Sequence, residues 1–260
     1  MKIGRRTILL SGSAALALAG CGSTSTPASS ASPDPLSGTI TVFAASSLTS
    51  AFNTAEKGLE LDHPGFKAQY SYGSSQTLVT QIINSAPADV IATANTSTMM
   101  QLVTAGLVET PQAFCRNKLE IIVAPGNPKG IKTLADLAMP GLSVVLAAPS
   151  VPVGEYAAKA LKAANITVTP KSFQLDDAEV VQQVESGNAD AALVFVTDVV
   201  TAAGKVTGVP IPDAQNVIGT YGIAVVKASA NQTPAAAFVT SAVSGDVHVQ
   251  LLEDGFLNPS

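Results

Sequence analysis

The sequence predicts an α/β protein in which mostly parallel sheets are flanked by helices. Two observations support this prediction. Short β-branched and apolar runs alternate with helical segments from residue 39 to residue 253, and this alternation is typical of parallel sheets with helices on their faces. The chain has 260 residues, of which 47% are hydrophobic, and this length suits one large domain or two modest lobes.

The predicted strands are the β-branched and apolar runs between polar segments. In chain order they cover residues 39–44, 67–71, 89–93, 119–124, 142–147, 191–196 and 217–226. The predicted helices alternate with them, and several begin at a Ser or Asp pair or near a Pro, residues that suit helix N-termini. They cover residues 47–58, 75–85, 96–105, 134–137, 154–165, 178–186, 234–244 and 246–253.

Residues 1–20 have the pattern of a secretory signal peptide. A basic segment ending at Arg6 precedes an apolar segment, residues 8–19, which is too short to span a bilayer. The sequence Leu-Ala-Gly-Cys that follows is a bacterial lipobox, so we expect Cys21 to be the lipidated first residue of the exported protein. The Arg5-Arg6 pair leaves open whether export uses the general or the twin-arginine route.

The predicted exported chain is acidic and starts with a flexible segment. Residues 22–37 are almost entirely Ser, Thr, Pro, Ala and Gly, which is typical of a tether after the lipidated Cys21. Removal of residues 1–20 would change the formal net charge from −5 to −8. This charge argues against nucleic acid as a partner, and it requires any bound anion to be held by local groups.

The sequence contains no pattern typical of a metal or cofactor site. Cys115 has no partner for a disulfide if Cys21 carries lipid, and it is expected to be a small buried apolar residue. The two histidines, His63 and His248, do not have metal-ligand spacing. We therefore predict no cofactor and no direct protein ligand to a metal.

Four segments at strand ends share the chemistry of a helix start. They are Ala44-Ala-Ser-Ser-Leu48, Tyr72-Gly-Ser-Ser-Gln-Thr77, Pro149-Ser-Val-Pro-Val-Gly154 and Leu175-Asp-Asp-Ala-Glu-Val180. Each exposes backbone N–H groups without intrahelical acceptors, and Gly73 and Gly154 would let a ligand approach the backbone. Each segment alone fits simple helix capping, which is also the better explanation of Asp176-Asp177. If the four converge at one cleft, their neutral donors could hold a dianion with micromolar or tighter affinity.

Six stretches of the sequence resemble the periplasmic molybdate-binding proteins of ABC uptake systems, the ModA type. They span most of the chain in order: Ile40-Thr-Val-Phe-Ala-Ala-Ser-Ser-Leu48, Tyr72-Gly-Ser-Ser-Gln-Thr-Leu78, Ala86-Pro-Ala-Asp-Val-Ile-Ala-Thr-Ala94, Val123-Ala-Pro-Gly-Asn-Pro128, Val151-Pro-Val-Gly-Glu-Tyr-Ala-Ala-Lys-Ala-Leu161 and Gly187-Asn-Ala-Asp-Ala-Ala-Leu-Val-Phe195. The resemblance implies a two-lobe periplasmic-binding-protein-like fold with the oxyanion in the cleft. One lobe would contain residues 38–118 and 221–260, and the other residues 119–220, with crossovers near 118–121 and 220–223.

The resemblance also implies the ligand-binding residues. Ser47 and Ser75 would offer hydroxyl and backbone donors, and Val153 and Val180 would offer backbone N–H groups. Phe195 occupies the position where the family usually has a tyrosine that donates to the oxyanion, so one donor is missing here. That hydrogen bond would be missing, or water or a neighbouring group such as Thr197 would supply it. Ser46 and Ser74 are further candidates beside the two motif serines.

The function implied is a lipid-anchored, monomeric binding protein that delivers molybdate, and also tungstate, to an ABC permease outside the cytoplasm. The same fold could instead bind another anion, such as sulfate or phosphate. An exported hydrolase is a distant alternative, because no Gly-x-Ser-x-Gly motif or acid pair typical of catalysis occurs. A purely structural lipoprotein would show no stabilisation by any ligand. We therefore predict that the protein is not an enzyme.

Overall fold

The computed structural model describes residues 34–259 of the chain. The predicted signal peptide, Cys21 and most of the predicted tether lie outside the described residues. The folded body begins before residue 38, because the Leu36 side chain is buried in the core and the Asp34 carboxylate lies 2.6 Å from His63 Nδ1. Residues 34–37, predicted as the end of the tether, are therefore part of the body.

The strands of the described residues form one mixed sheet. They are β1 Gly38–Ala45, β2 Phe66–Gly73, β3 Val90–Thr93, β4 Gln112–Val123, β5 Val144–Ala147, β6 Ser172–Gln174, β7 Ala191–Phe195, β8 Thr207–Pro210 and β9 Ile218–Val225. The seven predicted strands are all present. β6 and β8 were not predicted, because β6 has only three residues and β8 contains Gly and Pro, which are rare in strands.

The helices alternate with the strands, as predicted. They are α1 Thr49–Asp62, α2 Ser75–Ile83, α3 Thr96–Thr104, α4 Pro152–Ala163, α5 Asp177–Glu185, α6 Val196–Thr201, α7 Gln232–Ser244 and α8 Asp246–Glu253. Short 3-10 turns cover Ser46–Leu48, Leu134–Ala138 and Asp213–Gln215. α6 was not predicted, because three of its six residues are valines and the helix follows β7 without a loop.

The sheet combines parallel and antiparallel pairs. The strand order is β2-β1-β3-β9-β4-β7-β5-β6, and β8 pairs with β4. The parallel pairs join β1 to β2 and β3, and β5 to β6 and β7. Every antiparallel pair includes β4 or β9. All residues of β3 and β7 are buried, which explains why these strands appear in the sequence as continuous apolar runs.

β4 connects two groups of strands. From Gln112 to Lys118 it pairs with β9, and from Leu119 to Val123 it pairs with β7. The change of partner falls where the resemblance implies a crossover between lobes. The first half of β4 was not predicted, because residues 112–118 include the polar residues Arg116, Asn117 and Lys118. The lobe boundaries themselves stay a prediction.

An aromatic cluster packs around the crossing strands. The ring of Tyr221 in β9 is fully buried and makes edge-to-face contacts with Phe114, Phe195 and Phe256 at centroid distances of 6.3, 5.7 and 5.4 Å. Phe195 packs in the same way on Tyr156 at 6.0 Å. This geometry is favourable for aromatic pairs, and it places the Tyr221 hydroxyl at the edge of an apolar cluster.

Candidate functional site

The parallel strands β1 and β2 end side by side, with Ala45 opposite Gly73. A helical turn follows each strand: the 3-10 turn Ser46–Leu48 follows β1, and α2 begins at Ser75 after β2. Ser47 and Ser75 each lie two residues beyond a paired position, so both lie at the same edge of the sheet. The free N–H groups and the positive dipole end of a helix start make such an edge attractive to an anion.

A small, narrow pocket lies at this edge. Its lining consists of Ala45, Gly73, Ser74, Ser75, Ala94, Val151, Pro152, Val153, Asp176 and Asp177. These residues include members of all four helix-start segments that the sequence analysis singled out. The structure therefore brings the four segments to one space, with the starts of α2, α4 and α5 around it. A larger groove adjoins the pocket and shares Val151 with it.

Ser75 is almost completely buried and has a hydroxyl hydrogen to spare. Its Oγ accepts a 3.0 Å hydrogen bond from the backbone N–H of Ala94. A backbone amide can only donate, so the hydroxyl hydrogen of Ser75 remains available for another acceptor. Both residues line the pocket, and an oxyanion there could accept this hydrogen.

Ser74 is a buried hydroxyl without a hydrogen-bond partner. It occupies the N-cap position of α2, yet its side chain makes no capping bond, and its Oγ contacts no donor or acceptor among the described residues. Leaving a buried hydroxyl unpaired costs about 1–3 kcal/mol. Because Ser74 lines the pocket, a ligand there would supply the missing partner. The sequence analysis named Ser74 only as a neighbour of the motif serine.

Val153 lies at the start of α4 and lines the pocket. The first intrahelical bond of α4 runs from the Glu155 N–H to the Val151 carbonyl at 2.9 Å, so the Val153 N–H has no intrahelical acceptor. The adjacent Gly154 is required for a different reason from the one expected. A Cβ at this position would lie 2.0 Å from the Ala148 carbonyl oxygen, so Gly154 permits close packing of the helix on its own loop.

Val180 does not offer a free amide, contrary to the expectation. α5 begins at Asp177, and the Val180 N–H donates to the Asp176 carbonyl oxygen at 3.2 Å. A helix start at residue 178, as predicted, would have left that N–H free. Val180 is also not part of the pocket lining. The lining residue of α5 whose N–H has no intrahelical acceptor is Asp177, at the first helical position.

Ser47 lies beside the pocket and is not among its lining residues. Its side chain is 2% exposed, and its Oγ lies 2.9 Å from the hydroxyl of Tyr221. The Tyr221 hydroxyl also accepts a 3.3 Å hydrogen bond from Asn117 Nδ2. The sequence analysis missed Tyr221 and Asn117, because strand periodicity indicates burial but does not identify a partner 174 residues away.

Phe195 is fully buried in the aromatic cluster and does not line the pocket. Its backbone N–H donates to Asp198 Oδ2 at 2.8 Å. Thr197, the expected replacement donor, accepts a 2.8 Å hydrogen bond from Asn117 Nδ2 and also lies outside the lining. Among the contacts of the described residues, the hydroxyl bonded to Ser47 is that of Tyr221.

The pocket lining contains two carboxyl groups, whereas the sequence analysis considered only neutral donors. Asp176 accepts hydrogen bonds from Ser46 Oγ at 2.5 Å and from the Ala178 N–H at 2.9 Å, so it caps α5 as predicted. Burial and the nearby carboxylates of Asp198 and Asp176 raise the pKa of Asp177 well above its usual value. A protonated Asp177 is a hydrogen-bond donor, which makes this carboxyl compatible with an anion.

The other candidate residues lie away from the pocket. Cys115 is a free, buried thiol, and burial raises its pKa well above the usual value, so it behaves as an apolar residue. His63 pairs with Asp34, and His248 Nε2 lies 3.3 Å from Asn258 Oδ1. Within residues 34–259, no group of acidic, His or Cys side chains has the arrangement of a metal site. Each helix of the same residues is too short or too polar to cross a membrane.

Residues 40–257 match the family model of the bacterial extracellular solute-binding proteins. The molybdate-binding protein ModA of Mycobacterium tuberculosis (strain ATCC 25618 / H37Rv) is 38% identical over 258 residues, which are 99% of this chain and 99% of that protein. This similarity confirms the suspected resemblance.

Solved structures agree with this relationship. The substrate-binding domain of a putative molybdenum ABC transporter from Clostridium difficile matches with a TM-score of 0.65 and 26% identity, over 85% of this chain and 99% of that chain. The periplasmic molybdate-binding protein of Azotobacter vinelandii matches with a TM-score of 0.74 over 85% of this chain and 100% of that chain, and at 18% identity it supports the fold alone. The predicted two-lobe α/β fold and the prediction of a binding protein instead of an enzyme are confirmed by these relatives. The chain belongs to the family of bacterial extracellular solute-binding proteins.

Proposed function

We propose that this protein captures molybdate, and also tungstate, in the pocket at the ends of β1 and β2 and delivers it to an ABC permease. The observation that carries the proposal is the convergence of donors without protein acceptors at one small pocket. These are the hydroxyls of Ser74 and Ser75 and the backbone N–H groups of Val153 and Asp177. The relatives that are named molybdate-binding proteins indicate which oxyanion these donors hold.

The anion would be held by dipoles and not by a cation. Helix starts and hydroxyls provide charge-assisted hydrogen bonds worth about 1.5–3 kcal/mol each, so several donors suffice for micromolar binding. The oxyanion is the transported ligand itself, so we propose no cofactor. We also propose that no protein atom coordinates the molybdenum directly. These donors favour a fully ionised anion over a protonated one, which must also donate, because both oxygens of the lining carboxyl of Asp176 already accept hydrogen bonds from Ser46 and the Ala178 N–H.

We also propose that the two sides of the pocket move relative to each other on binding. The lobes would be residues 38–118 with 221–260, and residues 119–220. The 2.5 Å hydrogen bond from Ser46 to Asp176 joins these two parts beside the pocket and would form on closure. The closed form would be what the permease recognises. The lipobox supports a lipoprotein that is anchored through Cys21 to the outer face of the cytoplasmic membrane, and we propose that it acts as a monomer.

Calorimetric titration of the purified protein with molybdate, tungstate, sulfate and phosphate tests the ligand. We expect molybdate and tungstate to bind with micromolar or tighter affinity and to raise the melting temperature, with sulfate and phosphate weaker. If sulfate or phosphate binds more tightly than molybdate, that anion is the ligand and the assignment of molybdate is wrong. If none of the four anions binds or stabilises the protein, the proposal is wrong.

A further inference from the structure

The side chains of Asn117, Tyr221 and Ser47 form a chain of hydrogen bonds from the crossing strands to the candidate site. Asn117 lies in β4 and Tyr221 in β9, and these strands pair with each other. Asn117 Nδ2 lies 3.3 Å from the Tyr221 hydroxyl, which lies 2.9 Å from Ser47 Oγ. The side chains of Asn117 and Tyr221 are fully buried, and that of Ser47 is 2% exposed.

The direction of this chain is set at Asn117. Its Oδ1 accepts a 2.9 Å hydrogen bond from the backbone N–H of Lys118, which can only donate. The amide is therefore oriented with Nδ2 toward Thr197 Oγ1 and the Tyr221 hydroxyl, at 2.8 and 3.3 Å. Because an amide NH₂ cannot accept, the oxygen of Tyr221 is the acceptor in this contact.

The hydroxyl hydrogen of Tyr221 must then bond to Ser47. The rest of Tyr221 is enclosed by the rings of Phe114, Phe195 and Phe256, which offer no oxygen acceptor. If Ser47 were the donor instead, the phenol hydrogen would be left in this apolar cluster without a partner, at a cost of about 1–3 kcal/mol. Tyr221 is therefore the donor and Ser47 Oγ the acceptor.

This assignment leaves the hydroxyl hydrogen of Ser47 without an acceptor. Tyr221 is the one hydrogen-bond partner of Ser47 Oγ in the described part of the chain. Ser47 lies beside the pocket, two residues after the lining residue Ala45, so an anion bound there is a candidate acceptor for this hydrogen. Because this buried chain ends in a hydroxyl hydrogen without an acceptor, it favours binding of an anion next to Ser47.

We propose that Asn117 and Tyr221 are positioning residues, which direct the hydroxyl hydrogen of Ser47 toward the bound oxyanion. The Tyr221 hydroxyl, acting through Ser47, thereby compensates for the hydroxyl that Phe195 lacks. This inference rests on the proposed oxyanion-binding function and adds two residues to it. It also links the ligand to β4 and β9, the paired strands where the two parts of the sheet meet.

A double-mutant cycle with molybdate titration tests the chain. We expect Tyr221→Phe to weaken binding about tenfold, because the Ser47 hydroxyl is no longer held in one orientation. In the Ser47→Ala background, Tyr221→Phe should have almost no further effect. Tyr156→Phe is the matched control, because Tyr156 packs in the same aromatic cluster without bonding to Ser47, and it should leave affinity unchanged.

Asn117→Asp provides a second test that also depends on direction. The carboxylate would accept the Tyr221 hydrogen, so Ser47 would have to donate to Tyr221 and its hydrogen would be lost to the ligand. We expect Asn117→Asp to weaken binding at least as much as Ser47→Ala does. If Tyr221→Phe unfolds the protein, Asn117→Asp in the Ser47→Ala background replaces it: a direction effect should disappear there, whereas charge repulsion should persist.

The possible results separate this inference from the proposed function. If the unmodified protein binds no oxyanion, the proposed function fails and the inference fails with it. If the protein binds molybdate but Tyr221→Phe has the same effect with and without Ser47, the role of Tyr221 is structural and only this inference is wrong. If Asn117→Asp binds like the unmodified protein, the assigned direction is wrong.

Discussion

The Glu155 carboxylate at the start of α4 accepts a 2.7 Å hydrogen bond from the side-chain amide of Asn95, which caps α3. The same oxygen accepts a 3.1 Å bond from Ser97, and the second oxygen contacts Lys159 Nζ at 2.5 Å. Burial acts to raise the pKa of Glu155, but the bonds from Lys159, Ser97 and Asn95 together lower it below the usual value. An ionised Glu155 therefore joins the strand group of β5 and β7 to that of β1 and β3 across the site.

We predict that Glu155→Ala weakens molybdate binding by about three- to tenfold, because loss of this link lowers the population of the closed form. Calorimetric titration measures the affinity, and X-ray scattering measures the radius of gyration without ligand, which should increase. Lys159→Ala is the matched control, since it removes the partner within α4 and keeps the bonds to Asn95 and Ser97. Equal effects of the two substitutions would contradict a role for the link between α3 and α4.

Ser74→Ala should separate ligand affinity from stability. Its Oγ has no partner among the described residues, so its removal should leave the free energy of unfolding unchanged or slightly higher. Molybdate affinity should nevertheless fall at least several-fold, as it should for Ser47→Ala and Ser75→Ala. Titration and urea unfolding of the same samples measure both quantities. Unchanged affinity in Ser74→Ala would exclude this hydroxyl from the site.

Gly154→Ala should destabilise the protein, whereas Gly73→Ala should not. A Cβ at Gly154 would lie 2.0 Å from the Ala148 carbonyl oxygen, and the backbone would have to move at a cost of about 1–3 kcal/mol. At Gly73 the nearest atom would be a Leu78 side-chain carbon at 3.8 Å, an ordinary contact. Urea unfolding measures the difference. A stable Gly154→Ala variant would show that the start of α4 can shift freely.

Asp198 should make the protein less stable as the pH rises toward neutrality. Burial raises the pKa of Asp198 to about 7 from the model-peptide value of 3.8. Between these values the folded state binds more protons than the unfolded state, so the free energy of unfolding falls as the pH rises from about 4 to about 7. In Asp198→Asn this fall should be smaller, and the residual slope should report Asp177, whose pKa is also raised.

Urea unfolding between pH 4 and pH 8 measures this dependence. Asp136→Asn is the control: hydrogen bonds from the backbone of Lys132 and Thr133 lower the pKa of Asp136, so its contribution to stability changes only below this pH range and the slope above pH 4 should stay as in the unmodified protein. If Asp198→Asn and the unmodified protein have the same slope above pH 4, Asp198 is ionised at no cost in the folded protein.

The sequence by itself determined the succession of strands and helices and the four helix starts. These features are local: β-branched runs, Ser and Asp pairs, and Pro152 set backbone preferences within a few residues. The family resemblance added the lobes and the motif serines. The resemblance also named Ser75 and Val153 in advance, within segments that the chemistry of a helix start had already indicated.

Only the tertiary structure decided which groups meet at the site and which way their hydrogens point. The hydrogen bond between Ser47 and Tyr221 joins residues 174 positions apart in the chain. The Ser74 hydroxyl is unpaired because the fold brings no donor or acceptor of the described residues within reach. A one-residue shift in the start of α5 gives the Val180 N–H an acceptor, the Asp176 carbonyl oxygen, and so removes it from the free amides. Such contacts depend on how strands distant in the chain pair and pack, and no local pattern of residue types records this pairing.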